Sequence, residues 1–255
     1  MKVVWSLFDG SGIMGLPWAE AGYHVYCFNA DGADHGPYDK FHARYIHEGL
    51  HYINTWIDVN FMNAAVAGIY GKPDIIFAFP PCTDMAVSGA SAFESKRKKD
   101  SLFQEKAAFT AMIASRIADH FNIPYFVENP VSVLSTFWRK PDYIFNPWEY
   151  GGYLPENDIH PFFPEHINPR DAYPKKTCLW TGNGFIMPEK KIVPVKKGYS
   201  NQHLKLGGKS TKTKVIRSLT PRGFKVMFRY GDDGPVVYCG YTNFLKRYPE
   251  ELIHE

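Results

Sequence analysis

The stretch VVWSLFDGSGIMGLPWAEAG, residues 3–22, passes from an apolar, β-branched run through a glycine-rich turn into a helix-prone segment. Within it, Gly10, Gly12 and Gly15 form a G-x-G-x-x-G pattern directly after the first expected strand. Glycines allow the backbone to turn sharply and approach a ligand closely, and the helix behind the turn offers free N–H groups. An acid about 20 residues further on is suited to bind ribose hydroxyls, and Asp31, at the end of the next apolar run, is placed for it. The turn alone fits NAD, FAD or S-adenosylmethionine, and a tight strand-to-helix turn with no ligand is the plainer reading.

Outward from this turn, short apolar runs recur between helix-like stretches: HVYCFN (24–29), PDIIFAF (73–79), IPYFVEN (123–129) and TCLWTG (177–182). A long helical pattern covers 101–121. Strands alternating with helices at this spacing predict βαβ units, a mostly parallel sheet and helices on both faces. Ligands of such sheets bind at the carboxyl ends of the strands. Residues 132–173 are rich in Pro, Trp, Tyr and Asn with little periodicity, so an ordered, aromatic-rich loop is expected there.

A chain of 255 residues with 45% apolar residues can bury a sizeable core in one large domain or a domain with a small appendage. Its longest apolar runs fall short of the roughly 18–20 residues of a membrane span. The start MKVVWSLFDG lacks the features of a signal peptide, so a cytoplasmic protein is expected. Cys27, Cys82, Cys178 and Cys239 show no CxxC pairing, which argues against a disulfide framework or a thiolate zinc site. His160 and His166, in HPFFPEH, lack partner thiols, so aromatic packing is expected in place of a metal. Net charge is only +3, yet eleven Lys and Arg and no acid lie between Lys190 and Lys225. Such a local basic run is the footprint of a polyanion partner.

The third apolar run ends in Phe79-Pro80-Pro81-Cys82-Thr83-Asp84, which places a thiol just beyond the sheet in a stiff turn. A buried packing cysteine is the plainer alternative. A later run ends in Phe126-Val127-Glu128-Asn129-Pro130; partial desolvation there would raise a carboxylate's pKa towards neutrality. Asp9, inside the glycine turn, suits a cationic sulfonium better than a pyrophosphate. Asp58 either accepts from an adenine amino group or caps a helix.

Taken together and in this order, FDGSG, PPC and VENP resemble the signature segments of the cytosine-5 DNA methyltransferases. Tyr173-Pro174-Lys175-Lys176-Thr177 resembles that family's basic segment, and Arg217-Ser218-Leu219-Thr220-Pro221-Arg222 its R-x-L-T-P-R segment. The resemblance spans roughly residues 3–228, and its SGA, WRKPD and KKTCLW surroundings look like the compact phage and prophage branch. Thr83, Pro130 and Thr177 depart from the residues usual in the family, and GYTNF at 240–244 is a poor match to its last segment.

The resemblance implies a Rossmann-like S-adenosylmethionine-dependent methyltransferase fold with a small target-recognition insert. It divides the chain into a catalytic domain at 1–186, a basic recognition segment at 187–215 and a returning part at 216–255. Cys82 becomes the nucleophile, Glu128 the partner of cytosine N3, Asn129 the group that orients the loop, and Lys175 a contact to the base or a phosphate. Phe8, Asp9, Gly10, Gly12, Asp31, Asp58 and Pro80 would line the methyl-donor site. Lys96, Lys98, Lys99, Lys205, Lys209, Lys212, Lys214 and Arg217 would contact double-stranded DNA. A monomer with no metal and no membrane partner is expected. A DNA-binding protein of this fold without methyl transfer, or an NAD-dependent oxidoreductase using the glycine turn with Asp31, are the alternatives.

Overall fold

The computed structural model describes residues 2–30, 44–195 and 216–225. By packing, residues 2–30, 44–145 and 176–185 form one unit, and 146–175, 186–195 and 216–225 a second. Asn146–Lys175, expected within a catalytic domain running to residue 186, thus groups with the second unit. Most of the expected recognition segment and of the returning part lies outside the described residues, as does Asp31.

The first unit is α/β, built on a seven-stranded sheet in the order β3-β2-β1-β4-β5-β7-β6. β1 (Val3–Leu7), β2 (His24–Asn29), β3 (Leu50–Asn54), β4 (Ile75–Ala78) and β5 (Tyr125–Pro130) run parallel. β7 (Thr177–Gly182) is antiparallel to β5, and β6 (Tyr143–Phe145) is antiparallel to β7. The five strands expected from apolar runs all form, because each is bounded by turn or helix signals and buried on the sheet. β3 and β6 were not expected: LHYIN carries polar residues at an edge, and β6 is three residues inside the aromatic-rich stretch.

Helices cover both faces. On one, Trp18 of α1 (Leu16–Glu20) packs against Phe77, with ring centroids 5.4 Å apart. On the other, α2 (Val59–Val66), α4 (Phe103–Phe121) and α5 (Leu134–Phe137) cover Trp5, Leu7, Ile76, Ala78 and Val127. Between α2 and α4 comes α3 (Phe93–Lys99). α4 turns Ala108, Ala111, Ala114 and Ala118 inward with Ile113 and Ile117, and these small side chains let it lie close on the strands. It stops at Asn122, whose left-handed backbone (φ 51°) returns its N–H to the carbonyls of Ala118 and Asp119.

Sheet order reverses at β1, with β2 and β3 on one side and β4 and β5 on the other. The crevice at the carboxyl ends of β1 and β4 is therefore the topological switch point, where open α/β sheets bind ligands. Leu7 and Ala78 are register partners at that end, and Phe79 N–H donates to the Leu7 carbonyl at 3.1 Å.

The second unit is irregular, with single 3-10 turns at Pro147–Glu149, Gly151–Tyr153 and Pro169–Asp171 and a short helix at Arg222–Lys225. At its centre the Arg222 guanidinium, 1% exposed, donates to Asp158 at 2.9 and 2.7 Å and to Asp171 at 2.9 and 3.2 Å. The two aspartates raise the Arg222 pKa despite burial, which by itself would lower it. Among the described residues of the protein, no helix is long and apolar enough to cross a membrane.

Candidate functional site

The glycine turn is organised from within by Asp9. Its carboxylate, 4% exposed, accepts from Ser6 Oγ (2.8 Å), Ser11 N (3.0 Å), Ser11 Oγ (2.9 Å) and Gly12 N (2.7 Å). The acid therefore builds the turn, with both oxygens accepting hydrogen bonds from it and from the end of β1. Phe8 adopts φ 61°, a left-handed conformation that a non-glycine residue holds only under constraint. Gly12 (φ 68°) is required twice over, since a Cβ there would also stand 2.2 Å from the Tyr52 hydroxyl.

Residues that the sequence did not single out buttress this turn. Arg44 Nε donates to the Gly10 carbonyl at 2.9 Å and lies over the Tyr52 ring. The Tyr52 hydroxyl is 3.1 Å from the Ser11 carbonyl and 2.7 Å from that of Tyr45, while Tyr45 N–H donates to Ser11 O at 2.9 Å. Tyr52 belongs to β3, so overlooking that strand concealed the buttress as well.

Cys82 lies in the loop four residues beyond β4, and Glu128 lies in the adjacent parallel strand β5, one residue past the stretch that pairs with β4. Cys82 is half-buried and opens a tight turn, its carbonyl accepting from Met85 N (3.0 Å) and Ala86 N (2.8 Å). Three hydrogen bonds tie the two loops together: Asn129 Nδ2 to the Pro80 carbonyl (3.4 Å), and Val87 N to Val131 O (3.2 Å) with Val133 N to Met85 O (2.9 Å), which together make an isolated antiparallel bridge between Ala86 and Ser132. Asn129 is 1% exposed, so it acts on the proline turn and is out of reach of solvent. Glu128 is half-buried, and its negative charge is felt on β7. Burial first, and then Glu128, push the Cys178 thiol up from 9.0 to about 11, against a smaller opposing pull from Lys176. Cys178 is thus held as a neutral thiol, and among the described cysteines Cys82 is the one that lies outside a strand and is partly exposed.

Beyond β3, Asp58 caps α2: its Oδ1 accepts from Asn60 N (2.8 Å) and Phe61 N (3.0 Å). The same residue borders a cavity of about 560 Å³ lined by Asn54, Trp56, Asn60, Phe61 and Tyr70. Aromatic walls, two amides and a carboxylate edge are a chemistry that accepts a flat heteroaromatic ring carrying an amino group.

The expected DNA contacts are distributed unevenly. Lys96 turns back to its own fold, its Nζ lying 2.5 Å from Asp84 Oδ1 and 3.1 Å from the Thr83 carbonyl. Lys98 is exposed and pairs with Glu94 at 3.1 Å, one turn earlier on α3. Lys99 is exposed in the last turn. Lys175 belongs to the second unit and donates to the Leu219 carbonyl at 3.2 Å; Arg217 lies in the same unit, half-buried. Lys205, Lys209, Lys212 and Lys214 lie outside the described residues.

His160 is buried and its Nδ1 accepts from Phe162 N (3.3 Å) and Phe163 N (3.0 Å). Its ring therefore packs and caps among the phenylalanines of its own loop. Among the described residues, no group of three or more His, Cys, Asp or Glu is arranged to hold a metal ion. No protein-family model matches the chain, and a search of curated proteins finds none similar to it.

Proposed function

We propose that the protein is an S-adenosylmethionine-dependent DNA cytosine-5 methyltransferase. The observation that carries this reading is that the loop bearing Cys82, which follows β4, is joined to the end of the neighbouring parallel strand β5, which bears Glu128, through Asn129 and the 85–87 to 131–133 links beside the sheet's switch point. The antiparallel β7 between β5 and β6 also departs from the 3-2-1-4-5-6 order of the dinucleotide-binding sheets, which favours this reading over an oxidoreductase.

Cytosine C5 is a poor nucleophile. Addition of the Cys82 thiolate to C6 turns C5 into an enamine-type carbon, and Glu128 at N3 supports that step by hydrogen bonding or proton donation. S-adenosylmethionine supplies an electrophilic methyl group on its sulfonium. Once C5 carries the methyl group, water accepts the C5 proton, the carbon–sulfur bond breaks so that Cys82 leaves as its thiolate, and Glu128 recovers any proton it gave to N3, which restores the aromatic ring. The turn at Phe8–Gly12 and the Asp58–Trp56 cavity are the places suited to hold the donor. A duplex base must leave its stack to reach the thiol, at a cost of a few kcal/mol, which phosphate contacts from the basic residues would offset.

Transfer of radiolabelled methyl groups from S-adenosylmethionine to unmethylated duplex DNA, followed by nucleoside digestion, tests the proposal. The expected result is 5-methylcytosine with the wild-type chain and none with Cys82→Ala. Donor and DNA binding without transfer would assign the fold to a binding protein.

A further inference from the structure

The basic run Lys96-Arg97-Lys98-Lys99 does not present four equivalent charges. Lys96 spans to the two residues that follow the thiol, contacting both the Thr83 carbonyl and the Asp84 carboxylate. The Asp84 carbonyl also accepts from Gln104 Nε2 at 3.4 Å, and Gln104 Oε1 accepts from Arg97 at 3.0 Å. Gln104 is 5% exposed, fixed on α4, whereas the Lys96 and Asp84 side chains are about a third open to solvent, at 32% and 40%. The contacts on the Cys82 turn are therefore of two kinds: a sheltered amide that ionic strength hardly affects and an accessible ion pair that salt screens.

We infer that the Lys96–Asp84 pair is an electrostatic strap on the Cys82 turn, and that DNA phosphates drawn to α3 compete for Lys96 and loosen the turn as they bind. Lys96 and Asp84 are positioning residues here, acting on Cys82 through the backbone of 82–86. The inference rests on Cys82 as the reacting group and on DNA as the partner, but its readout requires no methyl transfer.

Amide hydrogen exchange at Met85, Ala86 and Val87 in the full-length chain tests it, because these amides close the turn on Cys82 and Val131. Losing an accessible ion pair predicts exchange about two- to fivefold faster. That acceleration is expected in wild type on raising sodium chloride or adding duplex DNA. Lys96→Met should show it already at low salt and gain nothing further, and Lys96→Arg should restore the wild-type response. Asp84→Asn removes the pair from the other side and should match Lys96→Met, which guards against a folding defect particular to one variant. Salt- and DNA-independent exchange in wild type, or Lys96→Arg behaving like Lys96→Met, would overturn the strap. Loss of methyl transfer with the exchange pattern intact would instead count against the enzymatic reading alone.

Discussion

At the scale of single residues, the chemistry of the site depends on which groups are kept neutral and which are consumed by the fold. Cys178 is the clearest case, since burial and the charge of Glu128 favour its protonated thiol. A thiol whose folded pKa exceeds its unfolded value makes its full contribution to stability below the unfolded value and loses it as pH rises through the folded one. The window is thus from 9.0 to about 11. Urea unfolding midpoints across that window should fall more steeply in wild type than in Cys178→Ala, and parallel curves would show that the thiol does not titrate as described. Asp9 teaches a different lesson about legibility. Its place within the turn was readable from the sequence, but its four internal hydrogen bonds were not, because the direction of a carboxylate depends on partners such as Ser6 that precede the motif.

At the scale of elements, Asp58 illustrates how one side chain can serve both a helix and a cavity. Asp58→Ala removes the N-cap of α2 and should cost about 1 kcal/mol in chemical denaturation. Asp58→Asn keeps a capping oxygen and should leave stability nearly unchanged. If the cavity holds the adenine of the methyl donor, both variants should weaken S-adenosylmethionine binding measured by calorimetry. Normal donor affinity in Asp58→Asn would confine the residue to capping. The elements themselves were legible where apolar runs are continuous, as in IIFA of β4 and YFV of β5. They were not where an edge strand mixes polar and apolar residues, as in LHYIN, since an edge places a weaker demand on hydrophobicity. Overlooking β3 hid Tyr52, and with it the reason that Gly12 tolerates no side chain.

At the scale of the whole chain, the second unit is closed by residues far apart in sequence. Arg222 reaches back to Asp158 and Asp171 across a buried network with one cation and two carboxylates. Removing the cation strands both carboxylates, so Arg222→Met should destabilise this unit by about 3–5 kcal/mol. Limited proteolysis, with cleavage sites mapped by mass spectrometry, should then show preferential cutting within 146–175. An unchanged cleavage pattern would count against the network as its anchor. The sequence marked Arg222 only within the basic run read as a polyanion footprint and within a resembling segment, because a buried arginine and an exposed one look alike until their partners are located.

The β6–β7 pairing has a consequence for how the molecule could be rebuilt. Phe145, where the chain leaves the sheet, is the register partner of Thr177, just after it returns. The exit and re-entry points are therefore about 5 Å apart, the spacing of neighbouring strands. Residues 146–175 are thus an excursion with matched ends, and because Asp158 and Asp171 within it hold Arg222, only a replacement that also supplies partners for Arg222 would leave the remainder of that unit intact.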